Sequence, residues 1–203
     1  ATGRKRLIDA PMNLLLERQV DAAAAMTYNE LAQVLETVNP ATGELHKLDE
    51  LSIIDFNAEG TAMLQDHVFA RESWLAEEGN EDIAVRFLRA SFKGWIFCRD
   101  NFDECANIVL DNGPTLGEGH MRWQLNEVND LIWPSPQGIG LLDATSYQQT
   151  VDISVEFQVV SQAPDDAAYR TDLAQQALDG LTDVDTTGEG YEKLEVAVTP
   201  GGE

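Results

Sequence analysis

Apolar residues recur at three-to-four spacing over residues 72–78, 83–99, 102–110 and 119–131, with Gly, Pro and Asn between the stretches. That spacing predicts four amphipathic helices. Residues 146–160 and 171–181 continue the pattern, although the Val and Ile of the former also fit a strand. The first third of the chain reads differently. Asp9 before Ala10-Pro11 marks a helix start, and Met12, Leu15 and Leu16 give that helix an apolar face. Residues 20–25 form a short, nearly all-apolar run of the kind that fills a parallel strand covered on both faces. A helix over 28–35, a turn over 39–43 and a second strand over 52–56 follow, giving the alternation from which parallel α/β sheets are built. The loop at 133–140 holds two prolines and two glycines, which a helix interior excludes. A last extended piece spans 194–198, and Gly60 marks a crossing between a first segment, 1–59, and a second, 60–203.

Charge narrows the range of partners. The 203 residues carry 36 acidic and 13 basic side chains, a formal charge of −23, with 43% hydrophobic content that suits a folded chain. Nucleic-acid binding needs clustered Lys and Arg, and an anionic membrane surface attracts the same residues, so neither partner is expected. No apolar run is long enough to cross a bilayer, and residues 3–7, Gly-Arg-Lys-Arg-Leu, are too short for a signal sequence.

The block from 86 to 152 is the most particular stretch of the chain. A helical pattern carrying Gly94-Trp95 is followed by Asp100-Asn101, an acidic turn at Asp103-Glu104 and a second helix. The block resembles the late part of ABC-importer substrate-binding proteins of the class that takes up the thiamine pyrimidine precursor, nitrate, sulfonates and taurine. Residues 19–35, 64–77, 168–178 and 198–203 extend the likeness on both sides. The resemblance implies an α/β fold of the periplasmic-binding-protein type with two lobes, present here as a C-terminal fragment. Parallel or mixed strands would be followed by a largely helical C-terminal half. Residues 1–59 would give part of the second lobe with its ligand loop, and 60–203 the return to the first lobe. It also implies a non-catalytic protein without cofactor, outside the cytoplasm and anchored by lipid if a missing N-terminus carries that signal. Its partners would be a small solute and a membrane permease. Two other readings share the scaffold: a pyrimidine synthase of thiamine biosynthesis, whose cysteine-rich signature has no counterpart here, and a cytoplasmic ligand-sensing domain.

In such a fold, ligands sit beyond the carboxyl ends of strands, where following helices begin. Thr27, Tyr28, Asn29 and Glu30 occupy that position. Tyr28 can stack on a planar ring, Asn29 can donate and accept, and Glu30 can accept from an amino group. The set suits an aminopyrimidine or other nitrogenous solute better than an anion, which the carboxylate repels. Thr27-x-x-Glu30 is equally a capping box, in which each side chain bonds the other's backbone N–H.

Cys98 and Cys105 are open to two readings. On one continuous helix they would lie about 10 Å apart along the axis, too far to bond. A corner at Asp100-Asn101 would bring them together, and an exported protein permits that disulfide; otherwise they are two small buried thiols. Trp95 and Trp123 lie in helical apolar patterns as core anchors, whereas Trp133 borders the Pro-Gly loop. His46, His67 and His120 lack metal-ligand spacing. Asp183-Val184-Asp185 imitates the start of a calcium loop, but its twelfth position is Leu194 where a bidentate Glu is required.

Overall fold

The computed structural model describes residues 7–8, 12–165 and 167–203. Helices dominate it: α1 (Met12–Leu16), α2 (Glu30–Leu35), α3 (Glu72–Leu75), α4 (Asn80–Asp100), α5 (Phe102–Asn112), α6 (Glu118–Ile132), α7 (Ala144–Glu156) and α8 (Asp172–Asp179). The helix start expected at Asp9 lies outside the described residues.

The expected α/β two-lobe fold with its sheet does not form. Among the described residues, strand structure is confined to a parallel pairing of β1 (Leu7–Ile8) with β2 (Ala22–Ala23) and a single antiparallel bridge between Val38 and Leu45. The run at 20–25 contains Asp21 and four alanines. It offers too little side chain to bury on two faces, and only two of its residues pair. The run at 52–56 forms no strand, and Ile53, Ile54 and Phe56 are 56%, 72% and 60% exposed. A short apolar run fits several extended conformations, so it is weak evidence for a sheet.

The chain separates into two compact units. The first comprises Ala1–Ser52, Phe97–Pro134 and Glu189–Glu203; the second comprises Ile53–Ile96 and Ser135–Gly188.

In the first unit, α5 packs on α6. Buried Cys105, Ala106 and Leu125 form a core cluster, with Phe97, Cys98 and Phe102 against it. Asn101 breaks the helical path between α4 and α5, and the corner joins Cys98 to Cys105 in a disulfide of 2.01 Å. Closing so short a loop removes chain entropy worth about 2.5 kcal/mol. Along α6, Met121, Leu125 and Asn129 recur at four-residue spacing on the buried stripe, joined by Asn126. Asn126 is 3% exposed because it does the work of a neighbouring strand. Its Nδ2 donates to the Leu194 carbonyl (2.8 Å), and the Leu194 N–H donates to its Oδ1 (3.1 Å). The extended C-terminal stretch is thereby fixed to the helix.

In the second unit, α8 turns Leu173, Ala174, Ala177 and Leu178 inward. Its last turn is held by Arg89 of α4, which donates to the carbonyls of Gln176 (3.1 Å) and Ala177 (3.2 Å). Those carbonyls have no partner within the helix, and a cation suits that end of the dipole. Phe92 packs on Gly140 so closely that a Cβ there would clash with the ring. Trp95, expected in the core, is 39% exposed on α4. The stretch after Gly60 forms neither helix nor strand; Gln149 of α7 donates to the Ala62 carbonyl (2.7 Å), and the Leu64 N–H donates to Thr150 Oγ1 (2.9 Å). Asp143 caps α7, accepting from the Ser146 N–H (2.7 Å) and hydroxyl (2.8 Å), and these bonds hold its carboxyl below the usual aspartate range.

Two outcomes follow. Asn126→Ala strands the Leu194 N–H and C=O, and should cost about 3 kcal/mol, read as a lower denaturant midpoint at unchanged m-value. Because the Asp143 carboxyl is depressed in the folded state, its contribution is present above the unfolded value and lost as pH falls. Far-ultraviolet circular dichroism should show acid fraying of α7 that Asp143→Asn, a cap without a titrating proton, reduces.

Candidate functional site

The sequence placed ligand contact at Thr27, Tyr28, Asn29 and Glu30, and in the first unit these four residues form one turn leading into α2. The capping box does not form as drawn from Thr27. The N-cap is Asn29, whose side chain makes no capping bond, and Glu30 Oε2 reaches back to the Met26 N–H (2.9 Å). One carboxylate oxygen thus closes the turn.

The turn rests on α6. Trp123 donates its indole N–H to the Thr27 carbonyl (2.9 Å), so this half-buried tryptophan anchors a backbone. His120 lies one turn earlier, between two oxygen-bearing side chains. Its Nε2 is 3.0 Å from Asn29 Oδ1, and its Nδ1 is 2.9 and 3.0 Å from the two oxygens of Glu36. Glu36 is 7% exposed at the C-terminal end of α2, where the helix dipole disfavours a carboxylate. A buried acid at that end needs a donor, and His120 supplies it. The Asn29 amide is oriented from its other side: Nδ2 donates to Glu30 Oε1 (3.1 Å), while Gln33 Nε2 also donates to Oδ1 (3.2 Å).

The remaining hydrogen-bonding capacity defines what the turn can take. Asn29 Nδ2 has a second N–H, and each Glu30 oxygen has a second lone pair. Side by side they present a donor next to an acceptor. Tyr28, half-buried between exposed Thr27 and half-buried Asn29, supplies an aromatic face. The other expectations resolve into packing. Trp133 is 2% exposed beneath the Arg99 guanidinium, 4.4 Å from its ring centre. The Asp183–Asp185 imitation of a calcium loop is a turn in which Asp185 Oδ1 accepts from the Thr187 N–H and hydroxyl and from the Gly188 N–H. Among the described residues, no cluster of His, Cys, Asp and Glu could hold a metal ion.

A concavity of about 590 Å³ lies beside the α4–α5 corner, where Asp100, Asp103, Glu104 and Glu195 meet Phe102 and Arg122. Its one cation is already committed, paired with Asp103 and stacked 5.2 Å from the Phe102 ring centre.

His120, Glu36 and Trp123 were not among the predicted site residues. A polar stripe carried part of the signal: Asn29, Gln33 and Glu36 fall at i, i+4 and i+7, one face of a helix otherwise apolar at Leu31, Ala32, Val34 and Leu35. No family model, curated protein or solved structure matches the chain.

The buried pair also constrains the chain's C-terminal turn, Pro200–Gly202. The Gly201 N–H donates to the Glu36 carbonyl (2.8 Å), and Gly202, at φ +74°, lies against both partners. A Cβ there would stand 2.8 Å from His120 Cβ and 3.0 Å from Glu36 Oε2, in a conformation that L residues avoid. Gly202→Ala should therefore lower the melting temperature and speed amide exchange at Asn29 and Glu30, whereas Gly201→Ala, with no atom within 4 Å of its added Cβ, should show only the backbone cost.

Proposed function

We propose that this chain is a non-catalytic solute-binding protein whose turn at residues 26–30 takes a small nitrogenous solute, best matched by an aminopyrimidine. The observation that carries this reading is the open donor beside an open acceptor at Asn29 and Glu30, on a turn fastened to α6 from behind. An aminopyrimidine edge offers an amino N–H next to a ring nitrogen, the complementary order. A turn fastened before the ligand arrives loses less freedom on binding. Nitrate and taurine present negative oxygens, which the Glu30 carboxylate repels.

A role as the binding component of an ABC importer, handing its solute to a permease, rests on the resemblance of residues 86–152. The disulfide supports a place outside the cytoplasm, where such bonds persist. No helix among the described residues is long and apolar enough to cross a membrane.

Calorimetric titration of the chain with 4-aminopyrimidine, nitrate and taurine tests the reading. The aminopyrimidine should bind and the two anions should not. Tyr28→Ala and Glu30→Gln should each weaken binding, the latter about tenfold or more for loss of a charged acceptor. Equal binding of all three solutes, or an affinity indifferent to both substitutions, would sink the proposal.

A further inference from the structure

We propose that the outer side of α7, with the 61–64 stretch laid along it, is a docking surface for a cationic amphipathic helix of another protein. This goes beyond the solute reading and does not rest on it. A helix in a folded chain normally buries one apolar stripe, yet no residue of α7 is buried. The sequence supplies the reason. Val151, Ile153, Val155, Phe157 and Val159 recur at two-residue spacing, the period of a strand, and residues two apart do not share a face of a helix. One covering element therefore cannot reach them all. The 61–64 stretch covers one side: Gln149 and Thr150 hold its backbone, and Met63 Sδ lies 3.9 Å from Ser154 Oγ. Phe157 and Val159 stay outside, 64% and 70% exposed. They sit on an ordered turn, since Gln158 closes the helix at φ +58° and the Val159 N–H donates to the Ser154 carbonyl (2.8 Å).

Apolar side chains held in water next to one another mark an interaction surface. Met63 and Val155 are exposed beside Phe157 and Val159, and the exposed Phe56 and Phe69 flank the laid stretch in sequence. Charge selects the occupant. Residues 51–70 and 141–165 together hold seven acids and neither lysine nor arginine. Arg71 follows the first segment; Arg170, after the second, is already paired with Glu81 and Asp172. A second copy of the chain would set these acids against themselves, and an anionic bilayer would meet the same repulsion. A basic partner gains from them. Asp152 and Glu156 interleave with Val151, Val155 and Phe157, so apolar side chains docked there bring their flanking cations beside carboxylates. An amphipathic helix meets both demands, presenting an apolar stripe edged by Lys and Arg while its own backbone groups are already paired.

Fluorescence anisotropy of a labelled leucine–lysine amphipathic peptide, titrated with the whole chain, tests the surface. A leucine–glutamate peptide of the same apolar pattern and a serine–lysine peptide without an apolar face serve as comparisons. The leucine–lysine peptide should bind, the leucine–glutamate peptide should not, and the serine–lysine peptide should bind about tenfold more weakly or worse. Phe157→Ser combined with Val159→Ser should weaken leucine–lysine binding about tenfold or more. Ile108→Ser with Val109→Ser, also exposed but on α5, should leave it unchanged. Asp152→Asn with Glu156→Gln should weaken binding at low salt and less at high salt. Circular dichroism spectra matching the parent chain establish that each variant is folded. Equal binding of the serine–lysine peptide, indifference to the Phe157 and Val159 pair, or an equal loss from the α5 pair overturns the proposal. So does sedimentation showing that the chain alone self-associates and that Phe157→Ser disperses it, or binding to phosphatidylglycerol vesicles that Phe157→Ser abolishes. The aminopyrimidine titration decides the solute reading separately, since neither result bears on the other.

Discussion

Backbone N–H and C=O groups must find partners wherever they leave water, and among the described residues this chain meets that demand for several non-helical stretches with little strand pairing. Helix side chains stand in for the missing strands. Asn126 makes both ladder bonds to Leu194, and Gln149 with Thr150 makes the equivalent pair to Ala62 and Leu64. Trp123 takes the Thr27 carbonyl, and Arg89 takes the last carbonyls of α8. The constraint explains why polar residues occupy buried helix positions. An asparagine on the inner stripe of α6 would be a defect in an apolar core; against an extended backbone it is the group that matches both a donor and an acceptor.

How much of this was legible follows from the same constraint. The helices were readable because their apolar spacing is a property of the helix alone. Residues 83–99 and 102–110 enclose the same Asp100-Asn101 corner that separates α4 from α5, with boundaries shifted by only a few residues. The strands were not readable, since a strand is defined by its neighbour. The run at 20–25 has too little side chain to bury and the run at 52–56 is exposed, and among the described residues the two-lobe sheet inferred from them and from the family likeness does not form. The turn at 26–30 was located by strand-turn-helix logic even though the strand before it is only two residues long. What located it in the fold is α6, more than ninety residues downstream. Its partner His120 was weighed only as a metal ligand, and metal spacing says nothing about a histidine that bonds an amide and a carboxylate.

The acidic composition leaves its own mark on the interior. With 36 acids and 13 bases, each cation has several carboxylates to choose from, and several are shared. Arg170 bridges Glu81 and Asp172, and Lys193 bridges Glu127 and Asp130. Burial works against the Lys193 ammonium, yet these two carboxylates keep its pKa above the ordinary lysine value. Exposed pairs of this kind contribute little individually, so they do not account for the fold's stability. Their effect is local: Arg170 joins acids of α4 and α8, and Lys193 joins two acids of α6, each relieving repulsion between neighbouring carboxylates.

The turn at 26–30 is therefore not an independent loop carried on a scaffold. Its backbone is fixed by Trp123, its amide by His120 and Glu30, and the histidine by Glu36, whose own carbonyl receives the Gly201 N–H from the end of the chain. Removing a member of that series leaves its neighbour's donor or acceptor unmatched in a partly dry site, where an unsatisfied polar group costs more than the bond contributed. Such coupling makes single substitutions non-additive. It also makes the geometry of the turn depend on a carboxylate that no solute of ordinary size could touch, because Glu36 is sealed beneath Gly202. A surface turn would be free to adapt its polar atoms to whatever arrived. This one has its donor and acceptor order set from the buried side, through bonds that a solute does not reach.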